Sequence, residues 1–200
     1  MIKTIIFDLG SVCFDIDWLK ISEEMVSKYG VSTLVKSSGN KKLINLYNLT
    51  QEGKLDIVKF FKELCGDKVN YEEFMASYKQ SYKNNKHPNK NLIELMKRLK
   101  GKVELVCLSD TNQVHWEAHQ EQGSLNYFDK AFASFQIGGR KADKETFNKI
   151  LKELEKKPEE ILFIDDNEKN IDNAKSLGIN VIKYKNSSQL IKDIKTFVSV

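Results

Sequence analysis

The stretch Ile161-Leu162-Phe163-Ile164-Asp165-Asp166-Asn167 decides the fold. Four apolar residues without polar alternation describe a strand buried on both faces, and the carboxylates that follow mark where it leaves the core. The same signature occurs at Thr4-Ile5-Ile6-Phe7, which runs into Asp8-Leu9-Gly10. It occurs again at Val103-Glu104-Leu105-Val106-Cys107-Leu108, which runs into Ser109-Asp110-Thr111-Asn112. Ala131-Phe132-Ala133-Ser134-Phe135 and Val181-Ile182 are further strand candidates. Between them lie amphipathic helices: Leu92, Leu95, Met96 and Leu99 share one face, as do Phe147, Ile150, Leu151 and Leu154. The helix around Ile171 and Ala174 stops at Gly178, a residue suited to a helix C-terminus. Doubly buried strands separated by helices of about 10–15 residues predict a parallel sheet covered on both sides.

Residues 15–87 break this alternation and read as helix only. Ile57, Phe60, Phe61 and Leu64 fall at i, i+3, i+4 and i+7, and Phe74, Tyr78 and Tyr82 repeat at four-residue steps. The expected architecture is therefore an α/β doubly wound, Rossmann-like core over 1–14 and 88–200, with an all-helical segment over 15–87 inserted after the first strand. A length of 200 residues, against about 150 for a typical domain, agrees with one domain carrying an insertion.

Composition excludes several function classes. No apolar stretch approaches the ~18 residues of a membrane span, and Met1-Ile2-Lys3-Thr4 leads into a strand with no signal-peptide pattern. The net charge of +4 is mild, and of the 32 basic residues only Arg98 and Arg140 are Arg. Lysines alternate with acids, as in Lys152-Glu153-Leu154-Glu155-Lys156-Lys157, which is a solvated face and not a nucleic-acid stripe. Cys13, Cys65 and Cys107 share no CxxC spacing, so neither a disulfide framework nor a zinc site is expected, and the reducing cytoplasm is the expected compartment.

In an open parallel sheet, ligands collect beyond the carboxyl ends of the strands. The polar residues there are Asp8, the Ser109-Asp110-Thr111-Asn112 run, Asp165-Asp166-Asn167, and Arg140-Lys141 in the loop after the third strand. Each alone reads equally well as a turn or a helix cap. Together they aim three carboxylates, a hydroxyl and an ammonium into one crevice. Asp8, Asp165 and Asp166 against Lys141 leave an excess negative charge that calls for a cation, and an all-oxygen donor set suits Mg²⁺. A magnesium ion, a lysine and a Ser/Thr-bearing helix N-terminus make a receptor for a phosphate group, with one carboxylate as nucleophile.

The ordered set Asp8-Leu9-Gly10-Ser11-Val12, Ser109, Lys141 and Asp165-Asp166 resembles the haloacid dehalogenase-like (HAD-like) hydrolase superfamily over nearly the whole chain, and the helical insertion stands where that superfamily carries a helical cap. Three stretches resemble its bacterial α-glucose-1-phosphatase-like subgroup. They are Phe7-Asp8-Leu9-Gly10 followed by Phe14-Asp15-Ile16-Asp17, then Leu108-Ser109-Asp110-Thr111-Asn112-Gln113-Val114-His115, and Phe163-Ile164-Asp165-Asp166-Asn167. The resemblance implies a Mg²⁺-dependent phosphatase acting on a small phosphorylated metabolite, a sugar phosphate, through an aspartyl-phosphate on Asp8. It implies that Asp8, the Gly10 carbonyl and Asp166 hold the metal, with Asp165 close by or acting through water. Ser109 and Lys141 would bind the phosphoryl oxygens, and backbone amides near Leu9, Gly10 and Asp110 would complete the cradle. The expected partner is that metabolite alone, with no nucleic acid or membrane, and the expected state is a monomer or weak homodimer.

Two residues depart from the family pattern. Gly10 stands where the phosphatases carry a second Asp as general acid and base, leaving Asp15, Asp17 or His115 as substitutes, or a good leaving group, or weak catalysis. Gly10 also counts against a phosphomutase, and it leaves open a phospho-ligand-binding protein without turnover. Ala142 replaces the usual Pro after Lys141, loosening that loop. Of the remaining residues, His115 is expected at the surface or one layer behind the site, or otherwise in contact with substrate, while His87 and His119 carry no partner pattern and are expected at the surface. Trp18 and Trp116 read as packing residues, and Trp18 stands where the cap begins, within reach of a substrate. Arg140 pairs equally well with an acid or with substrate.

Overall fold

In the computed structural model, which describes residues 1–199, the core sheet is built from β1 (Thr4–Phe7), β4 (Glu104–Ser109), β5 (Lys130–Ala133), β6 (Ile161–Asp165) and β7 (Asn180–Lys183). Their order is β5-β4-β1-β6-β7, and every pairing is parallel. The chain leaves β1 toward β4 and β5, then crosses to β6 and β7 on the other side. β1 therefore lies at the switch point, where crevices open in such sheets.

Why these residues form strands is visible in their burial. Ile5 and Phe7, with Leu105, Cys107, Leu162 and Ile164, join the layer formed by Leu92, Leu95, Met96 and Leu99 of α5 (Lys90–Leu99). Ile6, Val106, Leu108, Ile161 and Phe163 point the other way. They meet Phe147, Ile150 and Leu154 of α8 (Lys144–Leu154) and Ile171 and Ala174 of α9 (Glu168–Ser176). A sheet packed on both faces needs apolar residues at every position, which is the continuous pattern the sequence shows.

The cap comprises α1 (Trp18–Tyr29), α2 (Lys41–Gln51), α3 (Ile57–Cys65) and α4 (Tyr71–Asn84). Asp17, Asn40, Asp56 and Asn70 start these helices, each accepting from a backbone N–H of the first turn. Phe60, Phe61, Phe74, Tyr78 and Tyr82 fill the cap interior with Ile21 and Met25. Val114 and Ala118 of the core helix α6 (Gln113–Glu121) belong to the same cluster, so the cap is built directly on the core.

Two expectations are corrected. The helix-only segment contains strand at both ends: β2 (Phe14–Ile16) and β3 (Lys86–Pro88) pair antiparallel, Asp15 opposite His87, and close the neck of the insertion. Three residues per strand are too few for a periodic signal. The strand expected over 131–135 ends at Ala133, because Ser134 opens the short helix α7 (Ser134–Ile137). α10 (Ser187–Asp193) completes the core.

The cap also touches the core at Gly53, whose φ is +68° and where a Cβ would come within 2.2 Å of the Phe135 carbonyl oxygen. Gly53→Ala is expected to destabilise the protein by about 2–4 kcal/mol, from left-handed strain plus overpacking. Urea unfolding would show a lower midpoint at an unchanged slope.

Candidate active site

Strand register places the first carboxylates. Phe7 lies opposite Ile164 and Cys107, so Asp8 emerges beside Asp165 and just short of Ser109. The Asp8 N–H still donates to the Ile164 carbonyl at 2.9 Å, which holds the residue in the ladder. Lys141 arrives from the loop before α8. Its ammonium, on a residue only 2% exposed, donates to Asp8 Oδ1 at 2.5 Å and to Asp165 Oδ2 at 2.6 Å.

That loop is held from both sides. The Lys141 N–H donates to Asp110 Oδ1 at 2.9 Å, and Asn173 Nδ2 donates to the carbonyls of Lys141 (3.2 Å) and Ala142 (2.7 Å). Asn173 thus supplies an anchor where Ala142 lacks a proline's stiffness. Asp165 is fully buried, and the Asn167 N–H (2.7 Å) and Asn170 Nδ2 (3.2 and 3.1 Å) occupy its oxygens beside Lys141. Thr111 N–H donates to Ser134 Oγ at 3.0 Å, and Asn112 caps α6, fixing the turn that follows Ser109.

The electrostatics follow from this crowding. Burial, reinforced by Asp165 and Asp166, pushes Asp8 up to about 7 despite the opposing charge of Lys141. Burial and Asp165 also raise Asp166. Burial alone would lower Lys141, but Asp8, Asp165 and Asp110 outweigh it and hold the ammonium charged. Carboxylate oxygens of Asp8, Asp165 and Asp166 lie within 4.8 Å of one another, a donor set fit for a hard divalent cation.

These groups open into a cavity of ≈ 220 Å³. Asp8, Gly10, Ser109, Asp110, Lys141, Asp165 and Asp166 all line it, as the sequence predicts. Leu9 does not: it is buried in the core, and its carbonyl accepts from the Cys13 and Phe14 N–H groups. Gly10 has room for a side chain, since a Cβ there would meet only Ile16 Cδ1 at 3.8 Å.

The three substitute acids separate. Asp15 is exposed on β2, and Asp17 is exposed as the N-cap of α1, accepting from the Lys20 N–H at 2.9 Å; neither lines the cavity. His115 lines it but is buried, with Nε2 2.7 Å from the Tyr78 hydroxyl. Burial, helped by the charge of Lys36, pushes His115 down to about 3, so the imidazole is neutral.

His119, expected at the surface, is buried. Its Nδ1 lies 3.1 Å from the Lys86 ammonium and its Nε2 3.0 Å from the Tyr82 hydroxyl, and burial with the Lys86 charge pushes it down to about 2. Its partners come from α4 and β3, distant in sequence. His87 is exposed, as expected.

The cap wall of the cavity consists of Trp18, Lys36, Tyr47, Gln51 and Tyr82. Apart from Trp18, sequence reasoning missed these residues, because their convergence depends on how α2 and the segment before it fold over the core. Asn170 and Asn173 were also missed, although their one-turn spacing on α9 after Asp165 is a readable signal. Arg140 is held by the cap and approaches an acid. Its Nη1 donates to Asn48 Oδ1 at 3.0 Å, its Nε lies 3.8 Å from Asp110 Oδ2, and it lines the cavity.

A family model for haloacid dehalogenase-like hydrolases matches residues 2–178. D-ribitol-5-phosphate phosphatase of Bacteroides thetaiotaomicron is 28% identical over 214 aligned positions, covering 100% of both chains. Sesquiterpene phosphatase of Aspergillus oryzae is 27% identical over 88% of this chain and 87% of its own. The crystal structure of a HAD family enzyme of B. thetaiotaomicron superposes with a TM-score of 0.80 at 25% identity, over 95% of this chain and 98% of that one. The same enzyme is also known in complex with magnesium and inorganic phosphate (TM-score 0.77, 24% identity, 93% and 96% coverage).

Removing Lys141 strands two carboxylates in a buried site. Lys141→Met is expected to lower stability by about 3–5 kcal/mol in chelator, and adding Asp8→Asn to it recovers part of the loss. Urea unfolding of the single and double variants checks both.

Proposed function

The chain belongs to the haloacid dehalogenase-like hydrolases and is a phosphatase of that family; we propose that it is Mg²⁺-dependent and hydrolyses a small sugar phosphate through an aspartyl-phosphate on Asp8. The observation that carries this reading is the buried Lys141 ammonium bridging Asp8 and Asp165 in the wall of a cavity also lined by Ser109 and Asp166. The phosphatase relatives and the magnesium- and phosphate-bound structural neighbour support it.

The donor set fits Mg²⁺: Asp8 and Asp166, with the Gly10 carbonyl, would hold the ion, and Asp165, its oxygens taken up by Lys141, Asn167 and Asn170, stands behind them. Bound there, the ion supplies positive charge to the phosphoryl oxygens and favours the ionised form of Asp8. Ser109 and the Lys141 ammonium bind the same oxygens and align phosphorus with Asp8. The Asp8 carboxylate oxygen forms the new bond to phosphorus as the bond to the ester oxygen breaks, and the departing alkoxide takes its proton from water. Water then attacks the acyl phosphate, releasing inorganic phosphate and restoring the Asp8 carboxylate.

No side chain at position 10 supplies the leaving-group proton, Asp15 and Asp17 stand outside the cavity, and His115 is neutral with its Nε2 committed to Tyr78. Turnover therefore depends on leaving-group quality, which favours an anomeric sugar phosphate over a simple alkyl ester.

The test is phosphate release from an aryl phosphate and a panel of sugar phosphates, with Mg²⁺ or with chelator, for wild type and Asp8→Asn. Release that requires both Mg²⁺ and Asp8 is expected; equal rates in wild type and variant overturn the proposal. Gly10→Asp fits the space at Gly10 and is expected to raise kcat for alkyl phosphates by about 10²–10⁴-fold, with a smaller gain for aryl phosphates. A uniform gain on both classes would assign position 10 a role other than proton transfer.

A further inference from the structure

A second cavity, of ≈ 390 Å³, adjoins the first on the cap side. Trp18, Lys36 and Tyr47 line both, so the two chambers share one wall. Asp8, Ser109 and Lys141 line only the first. A phosphate ester held by them therefore has its phosphorus at the core end and the rest of the molecule toward the shared wall. Local structure puts Lys36 on that wall. It sits in the single turn Val35–Ser37 ahead of α2, where Val35 is buried in the cap interior and leaves its neighbour facing outward. Lys36 is exposed, and its ammonium lies over the Tyr47 ring, 5.5 Å from the centroid.

Three cationic side chains line the first cavity, and two of them are already answered. Lys141 bridges Asp8 and Asp165, while Arg140 donates to Asn48 and approaches Asp110 at 3.8 Å. Among the described residues, Lys36 pairs with no carboxylate. Desolvation by the surrounding walls, and then the charge of Arg140, hold its ammonium below the usual range, and Asp110 and Asp8 offset this only in part. An aromatic face attracts a cation but leaves its N–H donors unmet. A carboxylate or phosphate at this wall meets those donors with charge-assisted bonds and screens Lys36 from Arg140, whereas an uncharged hydroxyl does the first only weakly. We infer that Lys36 reads a second anionic group, so that the substrate is a doubly anionic ester. Besides the phosphoryl group that is transferred, its sugar carries a carboxylate or a further phosphate at the far end. This rests on the phosphatase reading and narrows it.

The experiment compares three esters on one preparation with Mg²⁺. They are an anomeric hexose phosphate whose sugar is uncharged, the hexuronic acid phosphate that adds one carboxylate, and the hexose bisphosphate, each followed by loss of the anomeric phosphate. Ratios of kcat/KM to the first ester cancel any inactive fraction. Wild type is expected to favour at least one doubly anionic ester, and Lys36→Met to reduce that advantage about 10- to 100-fold. Which ester loses its advantage tells the carboxylate from the phosphate. No advantage in wild type, or the same advantage in the variant, overturns the subsite; an equal loss on all three esters is the second of these results. Asp8-dependent hydrolysis of para-nitrophenyl phosphate, which bears no second anion, reports separately on the phosphatase reading. Should that reading fail, calorimetry with Mg²⁺ on Asp8→Asn, with and without Lys36→Met, still decides. About tenfold weaker binding of either doubly anionic ester by the double variant is expected, and equal binding of both overturns the subsite.

Discussion

The Lys141 ammonium is buried between Asp8 and Asp165, and the carboxyl end of the sheet is organised around that triangle. A buried cation is tolerated only when its donors are met, and here two of three are met by carboxylates that would otherwise repel each other. The arrangement requires three loops to converge: the ends of β1 and β6, set by strand register, and the loop before α8, set by Asp110 and Asn173. Asn170 then hydrogen-bonds both oxygens of Asp165, which leaves Asp8 and Asp166 as the carboxylates with oxygens free to meet a cation in the cavity. The site is a charge distribution first and a shape second.

The same loops also carry the cap. Asp110 holds the Lys141 backbone with its side chain and receives the Gln51 amide with its carbonyl. Arg140, adjacent to Lys141, reaches Asn48 on the cap helix. A shift of α2 is therefore felt at the residues that position the ammonium. Beside the cavity, the cap aromatics Tyr78 and Tyr82 bond to the core imidazoles of His115 and His119, so the seam is polar as well as packed.

Much of this was legible in the sequence, for an identifiable reason. Strand ends in a parallel sheet share one edge, so Asp8, Ser109, Asp165 and Asp166 could be placed together from hydrophobic runs alone. Lys141 followed from its loop, and its partners from charge. What lay in the cap was not legible. Lys36, Tyr47 and Gln51 carry no common spacing, and only the packing of α2 against the core brings them to one wall. Nearness in sequence misled for Asp15 and Asp17, since β2 turns the chain out of the cavity within six residues of Gly10. His119 was hidden for the opposite reason, its partners Tyr82 and Lys86 lying 37 and 33 residues upstream, on α4 and β3.

The short β2–β3 pairing has a consequence for how the chain finds its fold. Thr4 must pair with Glu104 and with Ile161, contacts that on an open chain demand closure of very long loops. Once Phe14–Ile16 has zipped to Lys86–Pro88, the ends of the insertion are held together, and the cap no longer contributes to that closure. The effective separation between β1 and β4 shrinks to the short segments flanking the ribbon. The cap, rich in local helical contacts, is thus placed to assemble early and lower the topological barrier for the sheet beneath it. A neck of six residues makes a discontinuous core kinetically almost continuous.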